Sequence, residues 1–76
     1  MSASDRTVHA RTSDGGEVVR YDRAGKWYVE WPGRMRPRRL VTLREAVELA
    51  VAGQPLLGQA GGKSFDAKVR KALAAT

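Results

Sequence analysis

The chain is predicted to be an α+β domain: a three-stranded antiparallel meander, with room for a fourth strand, packed against one helix and followed by a second, C-terminal helix. Three observations predict it. Residues 7–31 are rich in β-branched and aromatic side chains broken by glycine turns, the pattern of short strands. Thr42-Leu43-Arg44-Glu45 opens a run with apolar residues at spacings of three and four, and Phe65-Asp66-Ala67-Lys68-Val69 begins a second such run, the pattern of amphipathic helices. With 76 residues, 42% of them apolar, there is material for one modest core and no second one. The expected division is a single domain over 1–76, with the sheet at 6–41, the first helix at 43–52, a linker at 53–63 and the second helix at 64–75.

The first strand, Thr7-Val8-His9-Ala10-Arg11-Thr12, ends at Ser13-Asp14-Gly15-Gly16, where the backbone is free to reverse. Glu17 to Tyr21 and Lys26 to Trp31 then form a hairpin around Asp22-Arg23-Ala24-Gly25. A three-residue loop with Gly25 left-handed pairs Asp22 with Lys26, Tyr21 with Trp27, Arg20 with Tyr28 and Val19 with Val29. That register puts Val19, Tyr21, Trp27, Val29 and Trp31 on the core face. It leaves Val18, Arg20, Asp22, Lys26, Tyr28 and Glu30 outside, with Asp22 and Lys26 as a surface ion pair.

Pro32-Gly33 stops the third strand, and a basic loop, Arg34-Met35-Arg36-Pro37-Arg38-Arg39, leads to Leu40-Val41 and a short edge strand. Thr42 and Glu45 form a capping box, each satisfying a free backbone donor. Leu43, Ala46, Val47, Ala50 and Val51 share one face of the helix, which ends at Gly53 and Pro55. Leu56 and Leu57 anchor a glycine-rich connection. Ser64 caps the second helix, whose narrow apolar stripe is Phe65, Val69, Ala72 and Leu73.

Composition excludes several function classes. There is no cysteine, and the single histidine, His9, cannot build a zinc site. Neither a metal nor any other cofactor is therefore expected. His9, on an exposed strand near a terminus, is expected to be solvated, and no serine sits in a strained strand-to-helix turn, so no enzyme is expected. No apolar run approaches the roughly 18 residues of a membrane helix, and the expected location is cytoplasmic. Gly61-Gly62-Lys63-Ser64 resembles the end of a nucleotide-binding loop, but the first glycine of that motif is missing, since Leu57 stands in its place. What survives is a helix start whose amides and Lys63 can hold one phosphate, set against a plain linker with a serine cap.

The net charge of +6 is unevenly placed: five basic and five acidic residues cancel up to Gly33, and nine basic face three acidic residues beyond it. Such a field attracts polyanions. Arg outnumbers Lys ten to four and alanine is the commonest residue, a bias that a GC-rich genome also produces. On an extended loop Arg34, Arg36 and Arg38 stand about 6 to 7 Å apart, close to the phosphate repeat of one nucleic-acid strand. A guanidinium also pairs bidentately with phosphate. Arg34, Arg36, Arg38 and Arg39 are therefore the primary candidates for nucleic-acid contact. Arg20, Lys26 and Tyr28 on the outer sheet face come next, and Lys63, Lys68 and Lys71 form a second patch. Trp27 and Trp31 alternate with Val29 and belong to the core. DNA is the favoured partner over RNA; the other reading is a small regulatory factor whose Arg loop or second helix docks on an acidic protein.

Gly25-Lys26-Trp27, the polar outer strand positions, the basic segment and Thr42-Leu43-Arg44-Glu45-Ala46 together resemble the small arm-type DNA-binding module found at the N-terminus of tyrosine recombinases, including phage integrases. The resemblance covers residues 16 to 52. It implies a three-stranded sheet entering the major groove with the helix behind it, groove-facing roles for Arg20, Lys26 and Tyr28, and backbone contacts for the Arg loop. Asp22 and Glu30 depart from it by adding negative charge to the outer face.

Overall fold

The computed structural model describes residues 5–31, 33 and 38–75. Its elements are β1 (Arg6–Arg11), β2 (Glu17–Tyr21), β3 (Lys26–Glu30), β4 (Arg38–Val41), α1 (Leu43–Ala52), β5 (Gln54–Pro55) and α2 (Lys63–Ala74). The strands form one antiparallel sheet in the order β4-β3-β2-β1-β5. The architecture is α+β as expected, with five strands rather than three or four. The fourth is the edge strand before α1. The fifth lies inside the expected linker, where Gln54 and Pro55 pair with Arg11 and Ala10. Proline fits there because an edge strand has a side that needs no amide donor.

The β2–β3 hairpin differs from the expected register by one residue. Tyr21 pairs with Lys26, Arg20 with Trp27, Val19 with Tyr28 and Val18 with Val29. The turn holds four residues, Asp22 to Gly25, and is closed by the Gly25 amide donating to the Tyr21 carbonyl at 2.7 Å, with Gly25 at φ 67°. A one-residue slip turns every side chain of β2 over, so Tyr21 moves to the outer face and Arg20 to the inner one. The apolar pattern could not decide between the two registers, because Val18 and Val19 are both fully buried, one on each face of the sheet. The expected Asp22–Lys26 pair is replaced by Arg20 Nη1 to Asp22 Oδ1 at 2.6 Å.

A second irregularity lies in β1. Val8 pairs with Val19 and Ala10 with Val18, leaving His9 as an extra residue. The resulting β-bulge turns both His9 and Ala10 into the core. His9 is thus fully buried rather than solvated, with its ring 4.9 Å from that of Trp27 and 5.4 Å from that of Phe65. Gly62 makes room for it, since a Cβ there would come within 2.6 Å of His9 Cε1.

The inner face carries both helices. α1 occupies the expected residues, with the Thr42 hydroxyl accepting from the Glu45 amide at 3.1 Å. The Glu45 carboxylate, however, pairs with Arg39 instead of reaching back to the cap. Ala46, Val47 and Ala50 pack on Ala10, Val18, Trp27, Val29 and Val41. α2 begins at Lys63, one residue earlier than expected, and its N-cap is Gly62 with no side-chain hydrogen bond, so Ser64 lies in the first turn rather than at the cap. Phe65 stacks on Trp27 at 4.9 Å and Val69 is fully buried. Burying each of these contributes on the order of 1.5–3 kcal/mol. Ala72 and Leu73, expected in the same stripe, are half-buried and exposed. Trp31 is half-buried, and its indole donates to Asp14 Oδ2 at 3.1 Å.

Candidate nucleic-acid interface

Both helices pack on the inner face, and among the described residues no helix covers the outer face of the sheet. The register places Arg6, Val8 and Arg11 of β1, Glu17, Val19 and Tyr21 of β2, Lys26, Tyr28 and Glu30 of β3, and Arg38 and Leu40 of β4 on that face. Val8 and Val19 form a small apolar strip across its middle. Side chains from both ends lean over the strip. Tyr21 donates its hydroxyl to Glu30 Oε2, while Arg6 donates to Glu30 Oε1 through Nε at 2.9 Å and Nη2 at 2.8 Å, and to Glu17 Oε1 at 2.9 Å.

The electrostatics of this lattice are mutually reinforcing. Partial burial of Glu30 favours the neutral acid, but the Tyr21 and Arg6 hydrogen bonds and the charges of Arg6 and Arg38 outweigh it and hold the carboxyl below its usual range. The same burial works against the Arg6 charge and is overcome by Glu30 and Glu17, which raise its pKa. Tyr21 is pushed up by burial and by donating to Glu30. The negative charge of Glu30 on the outer face is therefore largely satisfied by Arg6 and Tyr21.

Beside this lattice the Tyr21 and Tyr28 rings meet edge to face at 5.4 Å, and the Arg38 guanidinium lies 4.7 Å from the Tyr28 ring centre and 5.4 Å from that of Tyr21. Asp5, Tyr21, Arg23, Ala24, Tyr28 and Arg38 line an open recess of about 300 Å³. Lys26 and Leu40, the latter 55% exposed, extend the surface along β3 and β4. An aromatic pair with a guanidinium over its rings, beside the exposed Lys26, is suited to bases and phosphates. Tyr21 was missed by sequence reasoning because the hairpin register placed it in the core.

The remaining candidates are distributed otherwise. Arg34 and Arg36 lie outside the described residues, in the segment that runs directly into Arg38. Arg38 also approaches Glu30 Oε2 at 3.9 Å. Arg39, next along β4, points to the inner face and pairs with Glu45 at 2.9 Å, so it does not stand with Arg38. Arg20 is also on the inner face, held by Asp22, where it lines a cleft of about 460 Å³ together with Trp27, Leu43, Lys63, Ser64 and Phe65. Lys63, Lys68 and Lys71 are exposed on α2, in the helical layer and away from the outer sheet face. The candidates thus fall into an outer-sheet group (Lys26, Tyr28, Arg38) and a separate α2 group, with Arg20 and Arg39 each paired to a carboxylate on the inner side of the sheet.

Among the described residues there is no cluster of three or more metal-ligating side chains, and no helix is long and apolar enough to cross a membrane. No protein-family model matches the chain, and neither a curated protein nor a solved structure does.

Proposed function

We propose that this protein is a non-enzymatic DNA-binding module that engages nucleic acid through the outer face of its sheet. The observation that carries the reading is the outer-face platform where Arg38 lies over Tyr28 and Tyr21, with Lys26 exposed on the same face. Phosphates are met by Lys26, Arg34, Arg36 and Arg38, and exposed bases or groove edges by Tyr28 and Arg38. Lys63, Lys68 and Lys71 add a separate positive surface. Arg20 and Arg39, each held by a carboxylate, position the hairpin and the start of α1 rather than reaching the ligand. The layered arrangement, a sheet with a helix behind it, is also the one that the resemblance to arm-type modules implies.

Fluorescence anisotropy with a labelled duplex tests the proposal. Binding is expected at ~50 mM salt, and the combined substitutions Arg34→Ala, Arg36→Ala, Arg38→Ala and Tyr28→Ala should weaken it by about tenfold or more. No binding at that salt, or affinity indifferent to the four changes, removes the reading. A protein partner that survives nuclease treatment in stoichiometric amount favours docking on an acidic protein in its place.

A further inference from the structure

Internal ion pairing divides the surface into a largely balanced part and an unbalanced one. Glu17 and Glu30 pair with Arg6, Asp22 with Arg20, Glu45 with Arg39 and Glu48 with Arg44, while Arg38 only approaches Glu30, at 3.9 Å. All of these pairs lie in the sheet, the turn of its hairpin or α1. α2 carries Lys63, Lys68, Arg70 and Lys71 against Asp66 alone. Asp66 is turned back into the protein, accepting from the Gly58 amide at 2.8 Å. Among the described residues no ion pair involves any of those four cations, and all four are exposed.

Their placement around the helix is specific. Successive residues turn by about 100°, so with Phe65 and Val69 directed inward, the outermost line of α2 holds Ala67 and Ala74. Lys63 and Arg70 stand on one side of that line, two turns or about 10 Å apart. Lys71 stands on the other, with Ser64 and then Lys68 farther round. Ala67 and Ala74 are both exposed. The helix therefore presents a narrow alanine crest flanked on both sides by cations. A helix about 10–12 Å across matches the major groove of B-form DNA, about 12 Å wide. Small crest residues allow close approach to the base edges while the flanking cations reach the phosphates on either groove wall. The deep, narrow major groove of A-form RNA does not admit such an element.

We infer that the exposed half of α2 is a second duplex-DNA-binding surface, seated along the major groove, and that one molecule joins two duplexes, one on α2 and one on the outer sheet face. The inference rests on the proposed sheet interface for the second duplex only. The two surfaces lie on opposite layers: Phe65 of α2 stacks on Trp27 of the inner sheet face, and the crest faces away from it. The crest offers only methyl groups, so α2 binds with little sequence preference.

Energy transfer between two duplexes labelled separately with donor and acceptor provides the test. The protein should bring them together at low salt. Transfer should be lost in the variant Lys63→Glu, Lys68→Glu, Arg70→Glu, Lys71→Glu while a single duplex still binds. A second variant, Ala67→Met with Ala74→Met, keeps every charge and a strong helix former at both positions. It should also abolish transfer, because it fills the crest. Duplex RNA should give no transfer. Undiminished transfer in either variant, equal transfer with RNA, or transfer traced by sedimentation to a protein dimer overturns the inference. A wild-type protein that binds one duplex without transfer overturns it while leaving the sheet interface standing. Absence of all duplex binding sinks both.

Discussion

His9 illustrates how one extra residue in a strand changes the chemistry available to a side chain. The bulge that removes it from the β1–β2 ladder turns its ring between Trp27 and Phe65, and among the described residues neither ring nitrogen has a hydrogen-bond partner. Burial there favours the neutral form and depresses the pKa below 6.5; Asp66 and Asp22 oppose this, and Arg20 reinforces it. Since the unfolded chain binds the proton more readily, the stability His9 contributes is fully present above pH 6.5 and is lost as pH falls toward the depressed folded value. Thermal unfolding should therefore show a falling Tm below that pH, well before the carboxylates titrate. His9→Leu should flatten this part of the profile, and a variant whose Tm tracks the wild type there would refute the assignment. A separate acid limb belongs to Glu30, whose lowered pKa stabilises the fold above about 4.5 and ceases to do so as pH drops further.

The two helices begin in different ways, and their caps lead to opposite expectations for similar substitutions. Thr42 accepts from the Glu45 amide, so Thr42→Ala should cost about 1 kcal/mol by removing a satisfied donor. Ser64 is already inside α2, where its hydroxyl has no capping role, and Ser64→Ala should change stability by less than about 0.5 kcal/mol. Urea unfolding of the two variants checks the pair; equal losses would restore Ser64 as a cap. The same comparison shows what local sequence conveys. Thr42 to Pro55 carries its cap, period and stop signal together, so α1 was legible residue by residue. α2 has a period but an ambiguous start, because Gly61, Gly62, Lys63 and Ser64 all tolerate cap positions.

At the scale of the whole molecule, the arrangement of ion pairs matters more than the net charge. Five acidic residues pair with arginines of the sheet, its hairpin turn and α1, and among the described residues α2 is the element with the most cations outside any ion pair. Duplex affinity should fall with salt along a log–log line. For capture of the duplex seated on α2, the four cations give a slope of about −3.6, at roughly −0.9 per neutralised phosphate. Energy transfer between two duplexes should therefore fall with salt along that line, while reversing the four charges leaves the slope for the duplex on the sheet face unchanged. Transfer indifferent to salt would show that α2 lies away from phosphate in the complex.

The amino-acid sequence alone determined the class of fold, the position of α1, the hairpin, the edge strand β4 and the charge asymmetry, because each depends on signals carried within a dozen neighbouring residues. Tertiary structure decided which side of the sheet β2 presents, the burial of His9, the pairing of β5 with β1 and the separation of Arg38 from Arg39. A strand with valines on both faces has no preferred register of its own. Only the packing of Trp27 against Phe65 on one side, and the Arg6–Tyr21–Glu30 lattice on the other, sets its orientation. Which cations remain available to a polyanion follows from that choice, since it determines which carboxylates each arginine can reach.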